Sequence, residues 1–335
     1  MRRFVLIALL LCWGSPVLAD YSEHEQAPEL LNTLRKDYGF DQAALDKVRT
    51  ALTQAQRLPQ LVQQEQKAPE RTENWTQYSR RIDESRIHNG VRVIDEYAAY
   101  FARAEEQFGV PAAVIAGIMG VETRYGRVTG KVRVLDALAT QGFDHPTRNA
   151  FFMNELVQFF VFCRDFGFEP TEPRGSYAGA MGAAQFMPSN YRRLALDFDG
   201  DGHRNLWTMP DAIGSIANYF VNFRPALAWK RGQPIIVRAR VNAEVPSRIE
   251  LNGHTAAYTV AELARAGITP ETPLPPNTRV GLIELPLDES LGGGKEYWLG
   301  LHNFYTVMTY NPRTFYAMAV SQLSQRIVDQ MESPP

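Results

Sequence analysis

Residues Pro111–Gly126 read PAAVIAGIMGVETRYG, a stretch apolar along nearly its whole length with one carboxylate, Glu122, close to its end. Gly109 closes the helical pattern before it. Pro111 suits a first helical position, where its missing N–H would have no partner. Ile115, Ile118 and Met119 stand seven, four and three residues before Glu122 and share its helical face. A carboxyl group set into such a surface loses hydration, which disfavours its charged form, and a general acid needs its proton near neutral pH. A helix-end carboxylate more often faces solvent or pairs with a neighbour, here Arg124 or Arg127, so Glu122 alone decides nothing.

Outward from that helix the chain is of ordinary globular composition. It has 335 residues, 45% apolar and 21% charged, enough for a sizeable core and more than one lobe. The formal charge of −2 excludes the basic surface that a nucleic-acid binder needs. Residues 1–19, MRRFVLIALLLCWGSPVLA, read as a secretory signal: Arg2 and Arg3, an apolar run too short to span a membrane, and a cleavage site after Ala19. A soluble exported protein is expected. A lipoprotein acylated at Cys12 is the alternative, disfavoured because the residue before that cysteine is the large Leu11. Cleavage would leave Cys163 as the only cysteine, a buried small residue with no disulfide partner.

The expected organisation is mainly α, in an α+β arrangement. Residues 20–107 form a helical N-terminal lobe, with helical periodicity at Gln26–Lys36, Asp41–Gln56 and Val93–Phe108. Residues 108–229 form a helical core rich in Gly, Ala and aromatics. Residues 230–300 form a small β-rich domain with strands at Pro234–Val241 and Arg279–Leu287, and a short helix at Val260–Ala266. A strand is also expected over Tyr297–Tyr310, and residues 301–335 return to the core with an amphipathic helix at Thr314–Met331.

Two further segments carry chemistry. Arg174–Ser189, RGSYAGAMGAAQFMPS, sets seven small residues among Ser176, Tyr177, Gln185 and Phe186. Sugars are bound by such mixtures of close backbone, aromatic faces and fixed polar groups, and tight helix–helix contacts use the same small residues. Asp197–Asp211, DFDGDGHRNLWTMPD, places Asp197, Asp199 and Asp201 at the first, third and fifth positions of an EF-hand-type loop, with Gly202 at the sixth. His203 would then offer its backbone carbonyl. Thr208 replaces the expected bidentate Glu, and Asp211 closes the site if the loop is longer than usual. Three alternating aspartates repel unless a cation lies between them, and the competing reading is a solvated acidic turn. Tyr219, Tyr310, Asn311 and Tyr316 form a softer set: such residues can hold acetamido groups in a cleft, and more often they are partly buried core with satisfied hydroxyls.

Taken in order, GVETRYG, SYAGAMGAAQFMPS, DFDGDGHRNLW, IGSIANYF and YNPRTFYAMA resemble the membrane-bound lytic murein transglycosylase B family from about residue 75 to 325. The resemblance implies a lysozyme-like helical catalytic core, with Glu122 as single acid/base. It implies cleft positions at Ser176, Gln185, Tyr219, Tyr310 and Tyr316, further glycan contacts at Arg148 and Tyr78, and a structural Ca2+ held by Asp197, Asp199, Asp201, His203 and Asp211. Arg124 and Tyr125 fall at variable places. The substrate implied is the peptidoglycan glycan strand, cleaved between N-acetylmuramic acid and N-acetylglucosamine to leave a 1,6-anhydromuramic end. The expected molecule is periplasmic and monomeric, with penicillin-binding proteins as candidate partners. The competing readings are a hydrolytic muramidase and a non-catalytic, calcium-dependent cell-wall binder.

Overall fold

The computed structural model describes residues 20–66 and 72–333. The leader reading, with Cys12 and Ala19, falls outside them. The N-terminal helices are α1 (Ala27–Tyr38), α2 (Gln42–Gln54), α3 (Pro59–Gln66), α4 (Trp75–Tyr78), α5 (Glu84–Glu96) and α6 (Ala98–Phe108). Their boundaries follow local chemistry. Gly39 and Gly109 end α1 and α6 in left-handed backbone, while Asp41 and Asp83 accept the Ala44 and Arg86 N–H groups at the starts of α2 and α5. The single helix expected over Val93–Phe108 is broken at Tyr97, whose φ of −113° and ψ of 28° separate α5 from α6.

Four longer helices make the centre: α7 (Ala112–Thr123), α8 (Val134–Asp144), α9 (Asn149–Phe166) and α11 (Met209–Asn222), with the short α10 (Pro188–Leu194) between the last two. Pro111 caps α7 from extended backbone instead of opening its first turn. Ile115, Ala116, Ile118 and Met119 have no solvent exposure, so α7 is a central helix packed on several sides. Burying each of the Ile and Met side chains contributes about 1.5–3 kcal/mol.

The last helix, α14 (Thr314–Glu332), lies antiparallel on α7. Gly117 permits the close approach: a Cβ there would fall 2.3 Å from Ser324 Oγ and 3.1 Å from the Val320 carbonyl oxygen. This contact brings the N-terminal turn of α14 level with the C-terminal turn of α7.

Short strands β1 (Val132–Arg133) and β2 (Arg174–Gly175) pair antiparallel beside the core. The remaining strands, β3 (Ile236–Val241), β4 (Tyr258–Thr259), β5 (Ile268–Pro270), β6 (Arg279–Pro286) and β7 (Lys295–Gly300), form one sheet of order β4-β6-β7-β3-β5, every neighbour antiparallel. Leu282 faces Leu299 in the β6–β7 ladder, and both enter a small apolar cluster with Val237, Val280 and Leu263, the last from helix α12 (Val260–Ala264). The strand expected over Tyr297–Tyr310 stops at Gly300 and is followed by helix α13 (His302–Met308). Asn303 to Met308 are all buried, so the segment lacks the two-faced alternation of a strand, and Asn303 bonds to the backbone of Lys230 and Gln233.

Candidate active site

Glu122 stands half-buried in the last turn of α7. The hydroxyl of Tyr316, in the first turn of α14, donates to Glu122 Oε1 at 2.6 Å. Burial, then the Glu122 carboxylate and the nearby Tyr310 hydroxyl, push Tyr316 well above the usual tyrosine range, so it remains a proton donor. Tyr310 is raised by burial and by Glu122 in the same way, and it donates to the carbonyl of Ala184. Tyr219, on α11, donates to the Thr309 carbonyl at 2.6 Å, with its ring centre 4.7 Å from that of Tyr310. Tyr78 stacks on Trp75 and meets the Phe315 ring at a tilt of 53°, beside Tyr316. The fold thus gathers Tyr219, Tyr310 and Tyr316 around the Glu122 carboxylate, with Tyr78 beside Tyr316.

The small-residue segment forms the facing wall. Ser176 starts a tight turn: its N–H donates to the Ala180 carbonyl at 2.9 Å, and its Oγ accepts from the N–H groups of Ala178 and Ala180 at 3.3 and 3.1 Å. Met181 and Phe186 exchange backbone hydrogen bonds, which leaves Gln185 in left-handed backbone at φ 50°. Its amide donates to the carbonyls of Gly182 at 2.9 Å and Thr129 at 3.1 Å. Thr123, the neighbour of Glu122, donates from Oγ1 to the Ala183 carbonyl at 3.0 Å. The wall is therefore pinned to the end of α7 through Thr123 and to the loop beyond it through Thr129. Gly182 lies against the Leu206 backbone, where a Cβ would meet the Leu206 carbonyl oxygen at 2.5 Å, so a small residue here serves a loop-to-loop contact and not the helix–helix contact that the sequence also allows.

Arg148 is exposed at the start of α9, its guanidinium 4.9 and 5.0 Å from the ring centres of Phe151 and Phe152. Asn311 is half-buried in the turn between α13 and α14, its carbonyl accepting from the Arg313 N–H. Sequence reasoning passed over Thr123 and Tyr125, whose roles at the end of α7 depend on partners distant in the chain. A threonine one residue after a candidate acid is too common a pattern to single out.

In the acidic loop, carboxylate oxygens of Asp197, Asp199 and Asp211 lie within 4.8 Å of one another. Asp211 is buried, and its oxygens accept from the N–H groups of Phe198 (2.6 Å), Asp199 (3.3 Å) and Asn205 (2.6 Å). Burial raises its pKa, an effect opposed by these N–H groups and reinforced by the Asp199 charge. Asp197 accepts from Gly200 and Gly202, and Asp201 accepts from the His203 N–H at 2.7 Å. Among the described residues no Lys or Arg forms an ion pair with these four aspartates. Oxygen donors alone, converging without a counter-charge, fit a hard divalent cation. Asp201 and His203 lie outside the converging trio.

Residues 23–325 match the family model described as Transglycosylase SLT domain. Membrane-bound lytic murein transglycosylase B of Escherichia coli strain K12 is 40% identical over 318 residues, covering 92% of this chain and 84% of that protein. The solved structure of the Escherichia coli lytic transglycosylase SLT35 in complex with bulgecin A superposes with a TM-score of 0.83 at 39% identity, covering 95% of this chain and 97% of that one. A second SLT35 structure, in complex with calcium, gives 0.81 at 38% identity over the same shares.

Proposed function

The chain belongs to the transglycosylase SLT domain family, and on that premise we propose how its cleft works. It is a peptidoglycan lytic transglycosylase, and the carboxyl group of Glu122 serves as both acid and base. The observation that carries this reading is the Glu122 carboxylate held by the Tyr316 hydroxyl inside a cluster of tyrosines.

Glycosidases that use water need two carboxylates, one to protonate the leaving oxygen and one to activate the water. Tyr219, Tyr310 and Tyr316, gathered around Glu122, have raised pKa values, and none of the three is a base near neutral pH. One carboxyl group suffices when the substrate supplies its own nucleophile. Protonated Glu122 gives its proton to the oxygen leaving C1 of N-acetylmuramic acid as that C1–O bond breaks. The 2-acetamido group or an oxocarbenium-like state carries the positive charge. Glu122, now ionised, takes the proton of the C6 hydroxyl while O6 bonds to C1. The product ends in a 1,6-anhydro ring, and no water is consumed.

Ser176, Gln185, Tyr219, Tyr310, Asn311, Arg148 and Tyr78 are assigned to glycan binding. We divide the chain into a leader (1–19), a helical lobe (20–107), the catalytic core (108–229), the β-rich domain (230–300) and the C-terminal return (301–335). Asp197, Asp199, Asp201, His203 and Asp211 are assigned to a structural Ca2+, in keeping with SLT35 and its calcium complex. The ion would cross-link the loop before α11 and supply no step of the reaction. No described helix is long and apolar enough to cross a membrane, and we assign the protein to the periplasm, acting on glycan strands as a monomer. Mass spectrometry of digested cell walls tests the mechanism: fragments one water lighter than those from a muramidase are expected. Reducing-end muramic acid as the main product overturns it.

A further inference from the structure

One residue past Glu122, at the end of α7, the backbone enters the left-handed region at two successive non-glycine residues, with φ 51° at Arg124 and 61° at Tyr125. Such residues persist only where their surroundings hold them, and they concentrate at working parts of a molecule. The holding group is Tyr125. Its N–H donates to the Met119 carbonyl at 2.9 Å, and its hydroxyl donates to the Arg86 carbonyl at 2.6 Å, joining the end of α7 to α5.

The slot for that hydroxyl is built from glycines. A Cβ on Gly90 would fall 2.7 Å from it, and one on Gly120 would fall 2.6 Å from it. Arg86, whose carbonyl receives the bond, turns Nε to the Gly120 carbonyl at 3.1 Å and Nη1 to Asp83 at 2.6 Å. The last turn of α7 is thus gripped by Tyr125 and by the Arg86 side chain, both anchored on α5. Tyr125 is only 6% exposed, so its influence passes through the turn and not through contact with sugar.

We propose that Tyr125 is a positioning residue: its hydroxyl clamps the Arg124–Tyr125 turn and thereby fixes the direction in which Glu122 leaves α7. This rests on the acid/base reading of Glu122. The reaction asks one carboxyl group to reach two atoms in turn, the glycosidic oxygen and the C6 hydroxyl. A small rotation of the helix end spoils the aim for both, and misplacement by about 1 Å costs on the order of a hundredfold in rate.

Steady-state release of soluble fragments from purified peptidoglycan tests it. Tyr125→Phe removes one hydroxyl, and kcat is expected to fall about 10- to 100-fold with KM unchanged and cooperative melting retained. In a Glu122→Gln background the same change is expected to add no further loss, because what it aims is already gone. Gly90→Ala keeps Tyr125 but crowds its hydroxyl and also Ile327 of α14, whose Cδ1 would lie 2.5 Å from the new Cβ. In an Ile327→Ala background, which removes that second clash, Gly90→Ala should still lower kcat, and this keeps the test decisive if Tyr125→Phe does not melt cooperatively. Wild-type kcat in both variants, a loss confined to KM, or an additional loss on Glu122→Gln overturns the proposal. A wild-type rate in Glu122→Gln alone overturns the acid/base reading instead.

Discussion

Tyr316 and Glu122, separated by 194 positions in the chain, share a 2.6 Å hydrogen bond in which the phenol donates to the carboxylate. The bond is possible because α7 and α14 run antiparallel in close contact across Gly117, which sets the start of one helix beside the end of the other. A core contact therefore fixes the geometry of the reacting group. Packing and chemistry meet at the same pair.

Tyr316→Phe keeps the ring and removes the donor. Hydrogen bonds to charged groups contribute about 1.5–3 kcal/mol, and about 1.4 kcal/mol is a factor of ten. If the bond strengthens as Glu122 ionises, kcat falls roughly 10- to 100-fold while fragment binding, followed by co-sedimentation with insoluble cell wall, is unchanged. An unaltered kcat would remove Tyr316 from the reaction.

Glu122→Gln preserves the shape of the side chain and deletes its proton traffic. A general acid–base group contributes roughly 10²–10⁴ in rate, and here one residue serves both steps, so the upper end of that range is expected. Turbidity clearance of purified cell walls gives the rate, and a retained melting transition shows that the fold has survived. Near-wild-type clearance would sink the assignment.

The sequence disclosed what is local and withheld what is not. The apolar helix around Glu122, the alternating aspartates and the small-residue segment were legible because each carries its chemistry within a few residues. The partnership of Glu122 with Tyr316 was not, since no spacing rule links positions so far apart, and the resemblance implied Tyr316 only as a cleft position. The Arg124–Tyr125 turn left no trace in composition, because left-handed backbone is normally signalled by glycine, and here two larger residues adopt it. Helix α13 was misread as strand because HNFYTVM is rich in aromatic and β-branched residues and buried nearly all round, a pattern that short helices and buried strands share.

Glu155 gives the stability curve a defined slope. Its carboxyl is buried on α9, and burial pushes its pKa up, against hydrogen bonds from Ser189 N–H at 3.0 Å and Ser189 Oγ at 2.6 Å. A raised folded-state value means that the native protein binds this proton more tightly than the unfolded chain does. The resulting stabilisation is complete below the ordinary glutamate range and is lost as pH rises through the raised value. Melting midpoints of the wild type minus those of Glu155→Gln should therefore decline from acid toward neutral pH. A difference that grows over that interval would contradict the assigned direction.

Calcium should stabilise the protein without entering the chemistry. The carboxylates of Asp197, Asp199 and Asp211 converge while Asp211 also ties three backbone N–H groups across the loop, so an ion there would lock the approach to α11. Extracellular calcium modules bind with dissociation constants of roughly 10⁻⁴–10⁻³ M. At about 1 mM calcium this corresponds to roughly 0.4–1.4 kcal/mol of stabilisation, or a rise of a few degrees at most in melting midpoint for a chain of this size. Chelation should reverse the rise, and Asp199→Ala should abolish the response to calcium while leaving the rate of cell-wall digestion at moderate temperature intact. Loss of catalysis on adding chelator to a protein that still melts cooperatively would show that the ion acts on the reaction itself.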